Sequence, residues 1–220
     1  MIDYKKTIKV IGFDLDQTLY PKSPEIDKAI QGYIYQKISE RKKCSLAEAK
    51  KLFDGLYKQG KGLSGSQSLI VLGIPRARDI VQKALENTDI AFFLNPNPET
   101  NKLLKALKKR YKNIDLITGS NRKNTLNKLN HLKIPAAIFS LLITNLGNLS
   151  KSDGQAYKLW LSHYQFKPEQ FLYIGDRISS DYLVPRELKI NTILVNAKEK
   201  DDLVDCPQLP SLKEIKNLLL

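Results

Sequence analysis

Two aspartates, Asp14 and Asp16, stand one residue apart in the stretch FDLDQTLYP, directly after an apolar run that ends at Phe13. Like charges at this separation repel each other, and the end of a buried strand is a costly place for them. A hard cation such as Mg²⁺ removes the repulsion, because clustered carboxylate oxygens are the ligands that it prefers. The pair therefore indicates either an acidic turn or a metal-assisted reaction centre.

Polar residues follow three later apolar runs in the same way. They are Thr118, Gly119, Ser120 and Asn121 after the second run, Lys151 beyond the third, and Asp176 and Asp181 in GDRISSD after the fourth. Ligands of a parallel α/β sheet bind beyond the carboxyl ends of its strands. If the runs form such a sheet, four carboxylates, a hydroxyl and an ammonium converge on one pocket.

This set of groups suits phosphoryl transfer. A carboxylate can attack phosphorus and form an aspartyl-phosphate, which divides one difficult hydrolysis into two easier steps. A second carboxyl group can protonate the leaving oxygen and then activate water. A lysine and a serine or threonine hydroxyl can hold the phosphoryl oxygens as charge redistributes in the transition state.

Short apolar runs without polar alternation predict strands that are buried on both faces of a parallel sheet. These runs are residues 8–13, 114–117, 138–143, 171–174 and 192–195. Helical patterns lie between them, at residues 98–111, 123–132 and 154–164. Strands that alternate with helices predict a doubly wound α/β domain.

The interval between residues 21 and 98 has helical patterns but no convincing strand. Ser23 as N-cap with Pro24 at the first helical position predicts one helix start. Ser45 with Glu48 predicts a capping box at another. An all-helical insert therefore interrupts the predicted sheet domain. The predicted division is a core of residues 1–20 and 99–220 and an insert of residues 21–98.

The composition is that of a globular protein, with 42% hydrophobic and 27% charged residues in 220. The net charge of +13 is unusual and leaves three explanations open: nucleic-acid binding, attraction of a small anionic substrate, or a lysine-rich surface. Zinc-finger spacing and an aromatic–basic RNA-binding signature are both absent from the sequence, so a nucleic-acid partner is not expected. The widely separated Cys44 and Cys206, and the lack of a signal peptide or apolar span, predict a cytoplasmic protein without a membrane partner.

The ordered motifs resemble those of the haloacid dehalogenase-like hydrolases. The motifs are DLDQT from Asp14, then Thr118, then Lys151, then GDRISSD up to Asp181, and the resemblance covers nearly the whole chain. It implies a Rossmann-like core with a helical cap between the first and second motifs, where the strandless interval lies. The family's cap shields the site and selects the substrate.

The resemblance also implies a role for each motif residue. Asp14 corresponds to the nucleophile and Asp16 to the general acid/base. Thr118 and Lys151 correspond to the phosphate-binding residues, and Gly119 completes the predicted phosphate-binding set. Mg²⁺ is expected on Asp14, the backbone carbonyl of Asp16 and Asp176, with Asp181 supporting the metal directly or through water.

The presence of Asp16 favours phosphate ester hydrolysis, because the dehalogenase branch typically lacks the second aspartate of this motif. The resemblance therefore implies a Mg²⁺-dependent phosphatase that acts on a small phosphorylated metabolite. Two alternatives stay open: a basic phosphate- or nucleic-acid-binding protein without turnover, and a phosphomutase.

A narrower similarity is to the pyrimidine 5′-nucleotidase branch, which implies a nucleoside monophosphate substrate. It is carried by FDLDQTLYP and by LYKQGKGLSGSQSLIVLGI, which contains Lys61 and Ser64 in a glycine-rich loop. Gly119 stands where that branch commonly has asparagine, and Ser152 stands in place of a proline. Lys123 is the alternative to Lys151 as phosphate-binding lysine.

Overall fold

The computed structural model describes residues 3–21, 23–57, 63, 65–145, 149–196, 202 and 204–220. The chain forms two compact units, one of Met1–Pro21 with Leu94–Leu220 and the other of Lys22–Phe93. Among the described residues, no helix has both the length and the apolar character that crossing a bilayer requires.

The first unit is built on a six-stranded sheet in which every neighbouring pair of strands is parallel. Its strands are β1 (Val10–Phe13), β2 (Asn113–Ile117), β3 (Leu142–Ile143), β4 (Phe171–Gly175), β5 (Asn191–Val195) and β6 (Gln208–Leu209). Their order across the sheet is β3-β2-β1-β4-β5-β6. The predicted α/β fold with a parallel sheet is confirmed.

Helices alternate with the strands along the chain of the first unit, as the sequence pattern predicted. They are α1 (Tyr4–Thr7), α6 (Pro98–Tyr111), α7 (Arg122–His131), α8 (Gln155–Ser162), α9 (Val184–Glu187) and α10 (Ile215–Leu219), with a π-helical segment at Ile178–Leu183. The start of α6 has a local cause, because the Asn97 side chain accepts from Thr100 N at 3.1 Å and Pro98 occupies the first turn.

The central strands of the sheet are buried along their whole length and form its apolar core. All residues of β1 and β4 are buried, and α8 packs Tyr157 and Trp160 against them. Gly12 in β1 makes this packing possible, since a Cβ there would lie 2.8 Å from the Trp160 ring. The first strand therefore packs closely against α8 and ends at Phe13, directly before Asp14.

The third strand is shorter than the apolar run 138–143 predicted. Residues Ala136–Ile138 form a 3₁₀ turn, and only Leu142–Ile143 pair with β2. Pro135 starts this turn, and its carbonyl accepts from Ile138 N at 3.0 Å. The edge strand β6 was not predicted, because Gln208–Leu209 carries too few apolar residues to be recognised as a strand.

The second unit is helical over its described residues, as predicted. It contains α2 (Pro24–Lys42), α3 (Leu46–Asp54), α4 (Gly65–Val71), α5 (Ala77–Asn87) and a 3₁₀ segment at Ile90–Phe93. An isolated bridge between Tyr57 and Leu63 is the one β-type pairing in the described part of the unit. The predicted loop residues Lys61 and Ser64 lie outside the described residues.

Both predicted helix starts of the second unit are confirmed. The Ser23 side chain accepts from Ile26 N at 3.3 Å, and Ser45 with Glu48 forms a complete capping box. The helices enclose a core of their own. Its buried members are Ile34, Ile38, Ala49, Phe53, Leu69, Ile74, Ala77 and Ala84.

Candidate active site

The candidate site lies where the chain reverses direction across the sheet. The crossover after β1 leads to β2 on one side, whereas β4 lies on the other side of β1. A parallel sheet opens a crevice at such a switch point, beyond the carboxyl ends of the two strands. Asp14 directly follows β1 and donates its N–H to Ile174 O of β4 at 2.8 Å, and Asp176 directly follows β4.

Lys151 is the central cation of the site. Its Nζ lies 2.5 Å from Asp14 Oδ1, 2.9 Å from Asp181 Oδ1 and 3.2 Å from the Tyr173 hydroxyl. An ammonium has three N–H donors, so these three acceptors use all of them. The side chain is only 11% exposed. Burial disfavours its charge, but Asp14 and Asp181 raise the pKa of Lys151 above its ordinary value.

Asp181 is fully buried, and hydrogen bonds to both of its carboxylate oxygens fix its position. Oδ2 accepts from the backbone N–H groups of Asp176 and Arg177, both at 3.1 Å, and Oδ1 accepts from Ser180 Oγ at 2.9 Å in addition to Lys151. The π-helical segment brings Asp181 back under the end of β4. Gly175 leaves room for it, because a Cβ there would lie 2.5 Å from Asp181 Cβ.

Three carboxylates of this cluster fit a divalent cation. Single oxygens of Asp14, Asp176 and Asp181 all lie within 4.8 Å of one another. Asp176 Oδ1 is buried and has no hydrogen-bond partner among the described residues. A buried carboxylate oxygen without a partner is costly, and a hard cation with oxygen ligands would satisfy it.

The electrostatics of the site also favour added positive charge. Burial raises the pKa of Asp14 to about 7, against the opposing effect of Lys151. Burial likewise raises the pKa of Asp176 to about 6, against the opposing effects of Arg177 and Lys151. These two cations therefore do not fully compensate the burial of the acids. A bound cation would favour the ionised form of both carboxyl groups.

Asp16 has a separate set of partners. Oδ1 accepts from Tyr20 Oη at 2.5 Å and from Lys128 Nζ at 2.6 Å, and Oδ2 accepts from Ser120 Oγ at 2.9 Å. Burial works against its charge, but Lys128 and the two hydroxyl groups hold the pKa of Asp16 below its ordinary value. The Asp16 side chain is 28% exposed, so solvent or a ligand can reach it.

The loop after β2 carries the remaining predicted residues. Thr118 is buried at the end of β2, and its Oγ1 accepts from Ser120 N at 3.1 Å. Gly119 is exposed, and a Cβ on it would meet nothing within 4 Å. Asn121 caps α7 by accepting from Asn124 N at 2.9 Å. Of this loop, Ser120 is the residue whose side chain contacts an acid of the site.

Sequence reasoning missed Lys128 and Tyr20. The pattern of α7 indicated Leu126 and Leu129 as its apolar face, but Leu126 is exposed, and the buried residues are Thr125, Lys128 and Leu129. A lysine at a core-facing helical position was the signal that could have identified Lys128. Lys123, the alternative phosphate-binding lysine, is exposed on the same helix, whereas Lys151 contacts Asp14.

The arrangement separates two carboxylates chemically. Asp14 is buried against an ammonium, and its Oδ2 accepts no hydrogen bond from the described residues. Asp16 is anchored by three donors two residues further on. Two neighbouring carboxyl groups in different environments are suited to different roles in one reaction.

Comparison with known proteins agrees with the fold. The sequence profile of the family described as haloacid dehalogenase-like hydrolase matches residues 8–187. This range includes every predicted site residue.

The chain is similar to one curated relative and to many solved structures. It is 27% identical over 201 residues to a glyceraldehyde 3-phosphate phosphatase of Methanocaldococcus jannaschii, with 88% of each chain covered. A haloacid dehalogenase-like hydrolase from Bacteroides fragilis superposes with a TM-score of 0.69 at 20% identity, over 94% of this chain and 99% of that one. A HAD phosphatase from Thermococcus onnurineus gives 0.67 at 18% identity, over 96% and 97%. At these identities the two structures support the fold alone.

Proposed function

The chain belongs to the haloacid dehalogenase-like hydrolase family, and on that premise we propose that it is a Mg²⁺-dependent phosphatase of a small phosphorylated metabolite. One observation carries the proposal: Asp14, at the end of β1, pairs with a buried lysine beside two further acids, while Asp16 is anchored separately. The curated relative, itself a phosphatase by name, supports the same activity.

In the proposed reaction, Asp14 attacks the phosphorus of a phosphate monoester. The ester P–O bond breaks as an Asp14 O–P bond forms, and the protonated form of Asp16 gives its proton to the leaving oxygen. Water then attacks the aspartyl-phosphate, and Asp16 takes a proton from it. Asp14 is regenerated, inorganic phosphate is released, and no proton is gained or lost by the enzyme over the cycle.

Other residues of the chain hold the reacting group. Lys151 and the Thr118 hydroxyl, with the backbone of Gly119, would bind the phosphoryl oxygens as their charge redistributes. Asp14, Asp176 and the backbone carbonyl of Asp16 would hold Mg²⁺, which supplies charge compensation for the phosphoryl group and the acids. Asp181 would position Lys151 and the two N–H groups that it binds.

The test is phosphate release from 4-nitrophenyl phosphate and from a panel of metabolites with Mg²⁺ or with chelator. We expect the unaltered protein to be active only with Mg²⁺, and Asp14→Asn to be inactive while its circular dichroism spectrum is unchanged. Asp153→Asn, an exposed acid, is the control that keeps activity. Full activity of Asp14→Asn, or of the unaltered protein in excess chelator, would refute the proposal.

The substrate class is the finer part of the proposal. The panel should include triose phosphates, because of the curated relative, and nucleoside monophosphates, because of the sequence similarity to the pyrimidine 5′-nucleotidase branch. Transfer of the phosphoryl group to a second sugar hydroxyl would indicate the phosphomutase alternative.

A cytoplasmic location stays a prediction that rests on the cysteines, which are both free thiols.

A further inference from the structure

A buried lysine on α7 has no role in the reaction described above. Lys128 is 6% exposed at its side chain, and its Nζ lies 2.6 Å from Asp16 Oδ1 and 3.0 Å from Ser120 Oγ. Burying an ammonium is costly unless it is paired and hydrogen-bonded. Both of its side-chain contacts lead to one carboxylate, because Ser120 Oγ itself donates to Asp16 Oδ2.

The contacts of Lys128 define the position of the Asp16 carboxylate. Lys128 and Tyr20 hold Oδ1 and Ser120 holds Oδ2, so both oxygens have a donor at 2.9 Å or less. The three donors come from different parts of the chain: the segment after β1, the loop after β2, and α7. A carboxylate held at both oxygens can neither rotate about its Cβ–Cγ bond nor turn away from the reacting atoms.

Lys128 is distinct from the cation that contacts Asp14. Lys151 donates to Asp14, Asp181 and Tyr173, whereas the hydrogen bonds of Lys128 in the described part of the chain go to Asp16 and Ser120. Each of the two acids of the DLDQT motif therefore has its own buried lysine. The sequence motifs did not predict this pairing of each acid with its own lysine, because they include Lys151 but not Lys128.

We propose that Lys128, with Ser120, is a positioning residue that holds Asp16 in line for its two proton transfers. This inference rests on the proposed phosphatase function and assigns a specific part of it. Lys128 acts through Asp16, so its removal should affect the steps that need a proton from or to Asp16. Substrate binding and attack by Asp14 should be affected far less.

Leaving-group chemistry tests this role directly. A nitrophenolate leaves without a proton, whereas the alkoxide of glycerol 2-phosphate needs one from the general acid. For Lys128→Met we expect kcat/KM on glycerol 2-phosphate to fall by about 10- to 100-fold and kcat/KM on 4-nitrophenyl phosphate to fall less than about threefold. With 4-nitrophenyl phosphate, kcat should fall and a burst of nitrophenolate should appear, because the second step still needs Asp16 as base.

Two further variants make the test independent of folding. Ser120→Ala keeps Lys128 and removes the hydroxyl that donates to Asp16. Its kcat/KM should also fall more on glycerol 2-phosphate than on 4-nitrophenyl phosphate, but by a smaller factor than in Lys128→Met. Lys158→Met removes an exposed lysine of α8 and should change neither substrate's constants. Thermal unfolding of each variant identifies any loss that comes from instability.

Three results would overturn the inference. An equal fall of kcat/KM on both substrates in folded Lys128→Met would indicate a structural role only. A rise of KM on both substrates without a change of kcat would indicate that Lys128 binds the phosphate. Constants of Lys128→Met equal to those of Lys158→Met would show no role at all. Absence of hydrolysis by the unaltered protein would instead refute the proposed function itself, and this inference with it.

Discussion

At the scale of single residues, the site depends on matching buried charges of opposite sign. Lys151 lies between Asp14 and Asp181, and each of these acids would be left without its cation if the lysine were removed. Removal of one partner of a buried ion pair is far more damaging than loss of an exposed pair. Three predictions follow from individual charges.

Lys151→Met should abolish most activity and destabilise the protein. The variant removes the donor proposed to stabilise phosphoryl charge, so we expect kcat/KM to fall by about 100- to 1,000-fold. Two buried carboxylates lose their cation, so the free energy of unfolding should fall by about 3 kcal/mol near neutral pH. Enzyme kinetics and urea denaturation measure both effects. Lys158→Met, which changes an exposed lysine on α8, is the control and should match the unaltered protein in kcat/KM and stability. A kcat/KM of Lys151→Met within tenfold of that of the unaltered protein would contradict the prediction.

In chelator, protein stability should fall as the pH rises from about 4 towards 7. The pKa of Asp14 is about 7 in the folded protein against 3.8 as the ordinary value, so between these values the folded state binds the extra proton. The contribution of Asp14 to the free energy of unfolding is therefore fully present below about pH 4. It is lost as the pH rises through the pKa of Asp14 in the folded protein. Asp14→Asn should show a flatter dependence of the urea midpoint on pH. Asp153→Asn should keep the slope of the unaltered protein, and an unchanged slope in Asp14→Asn would exclude Asp14 as its cause.

Asp176→Asn should weaken magnesium binding. Asp176 Oδ1 is a buried carboxylate oxygen without a hydrogen-bond partner in the part of the chain that the structure describes, and an amide is a much weaker ligand for Mg²⁺ than a carboxylate. A ligand at 100 times its Kd stabilises a protein by about 2.7 kcal/mol, so a Mg²⁺ titration should raise the Tm of the unaltered protein by several degrees. At the same Mg²⁺ concentration, Asp176→Asn should gain less than half of this increase. An equal increase in both proteins would show that Asp176 is not a ligand.

At the scale of elements, the end of β4 and the π-helical segment after it determine where the acids lie. Asp181 follows Gly175 by six residues and still packs directly on it, because the segment turns back under the strand end. The backbone N–H groups of Asp176 and Arg177 both donate hydrogen bonds to the Asp181 carboxylate. A π-helical turn of this kind is often found at a functional site.

Gly175→Ala should disturb this turn more than its size suggests. The added methyl group would overlap Asp181, so we expect a loss of about 2 kcal/mol in stability together with at least a tenfold loss of kcat/KM. Gly32→Ala is the matched control, since a Cβ there meets nothing within 4 Å in the middle of α2. That control should raise stability by about 0.5–1 kcal/mol, because alanine is the better helix former. Equal behaviour of the two variants would contradict the packing argument.

At the scale of the whole molecule, the net charge of +13 acts on any anionic ligand. A positive surface attracts a phosphate ester over a distance of about the Debye length, which is about 10 Å at 0.1 M salt. The lysines are spread along the chain rather than collected into one basic segment. The charge therefore agrees better with general attraction of small anions than with a defined nucleic-acid surface.

Added salt should weaken substrate capture without slowing the chemical steps. Between about 0.05 M and 0.5 M NaCl we expect KM for a phosphate monoester to rise by about threefold to tenfold while kcat changes less than twofold. A neutral solute that matches the osmolarity, such as sucrose, is the control. Tight and strongly salt-dependent binding of a short oligonucleotide, together with no hydrolysis, would instead favour the binding-protein alternative.

Much of the fold and several site residues were predictable because their causes are local. Apolar runs of strand length, the caps at Ser23 and Ser45, and the proline at the first position of α6 act within a few residues of sequence. The edge elements were harder to predict. Ile138 lies in the predicted strand run, yet it belongs to the 3₁₀ turn that follows Pro135. Ser140 N donates to Ile114 O of β2 at 2.8 Å, but the paired strand begins only at Leu142. Gln208–Leu209 joins the sheet only because β5 offers it a free edge.

The sequence by itself determined which acids, hydroxyl and lysine follow each strand, since that order is read directly along the chain. Only the tertiary structure decided their partners. Lys128 donates to Asp16 across 112 residues of sequence, and Lys151 donates to Asp14 across 137. Such contacts depend on the order β3-β2-β1-β4-β5-β6, on the pairing register and on which face α7 buries. Residue spacing within a motif contains none of this information, because chain crossovers, not sequence neighbours, bring these groups together.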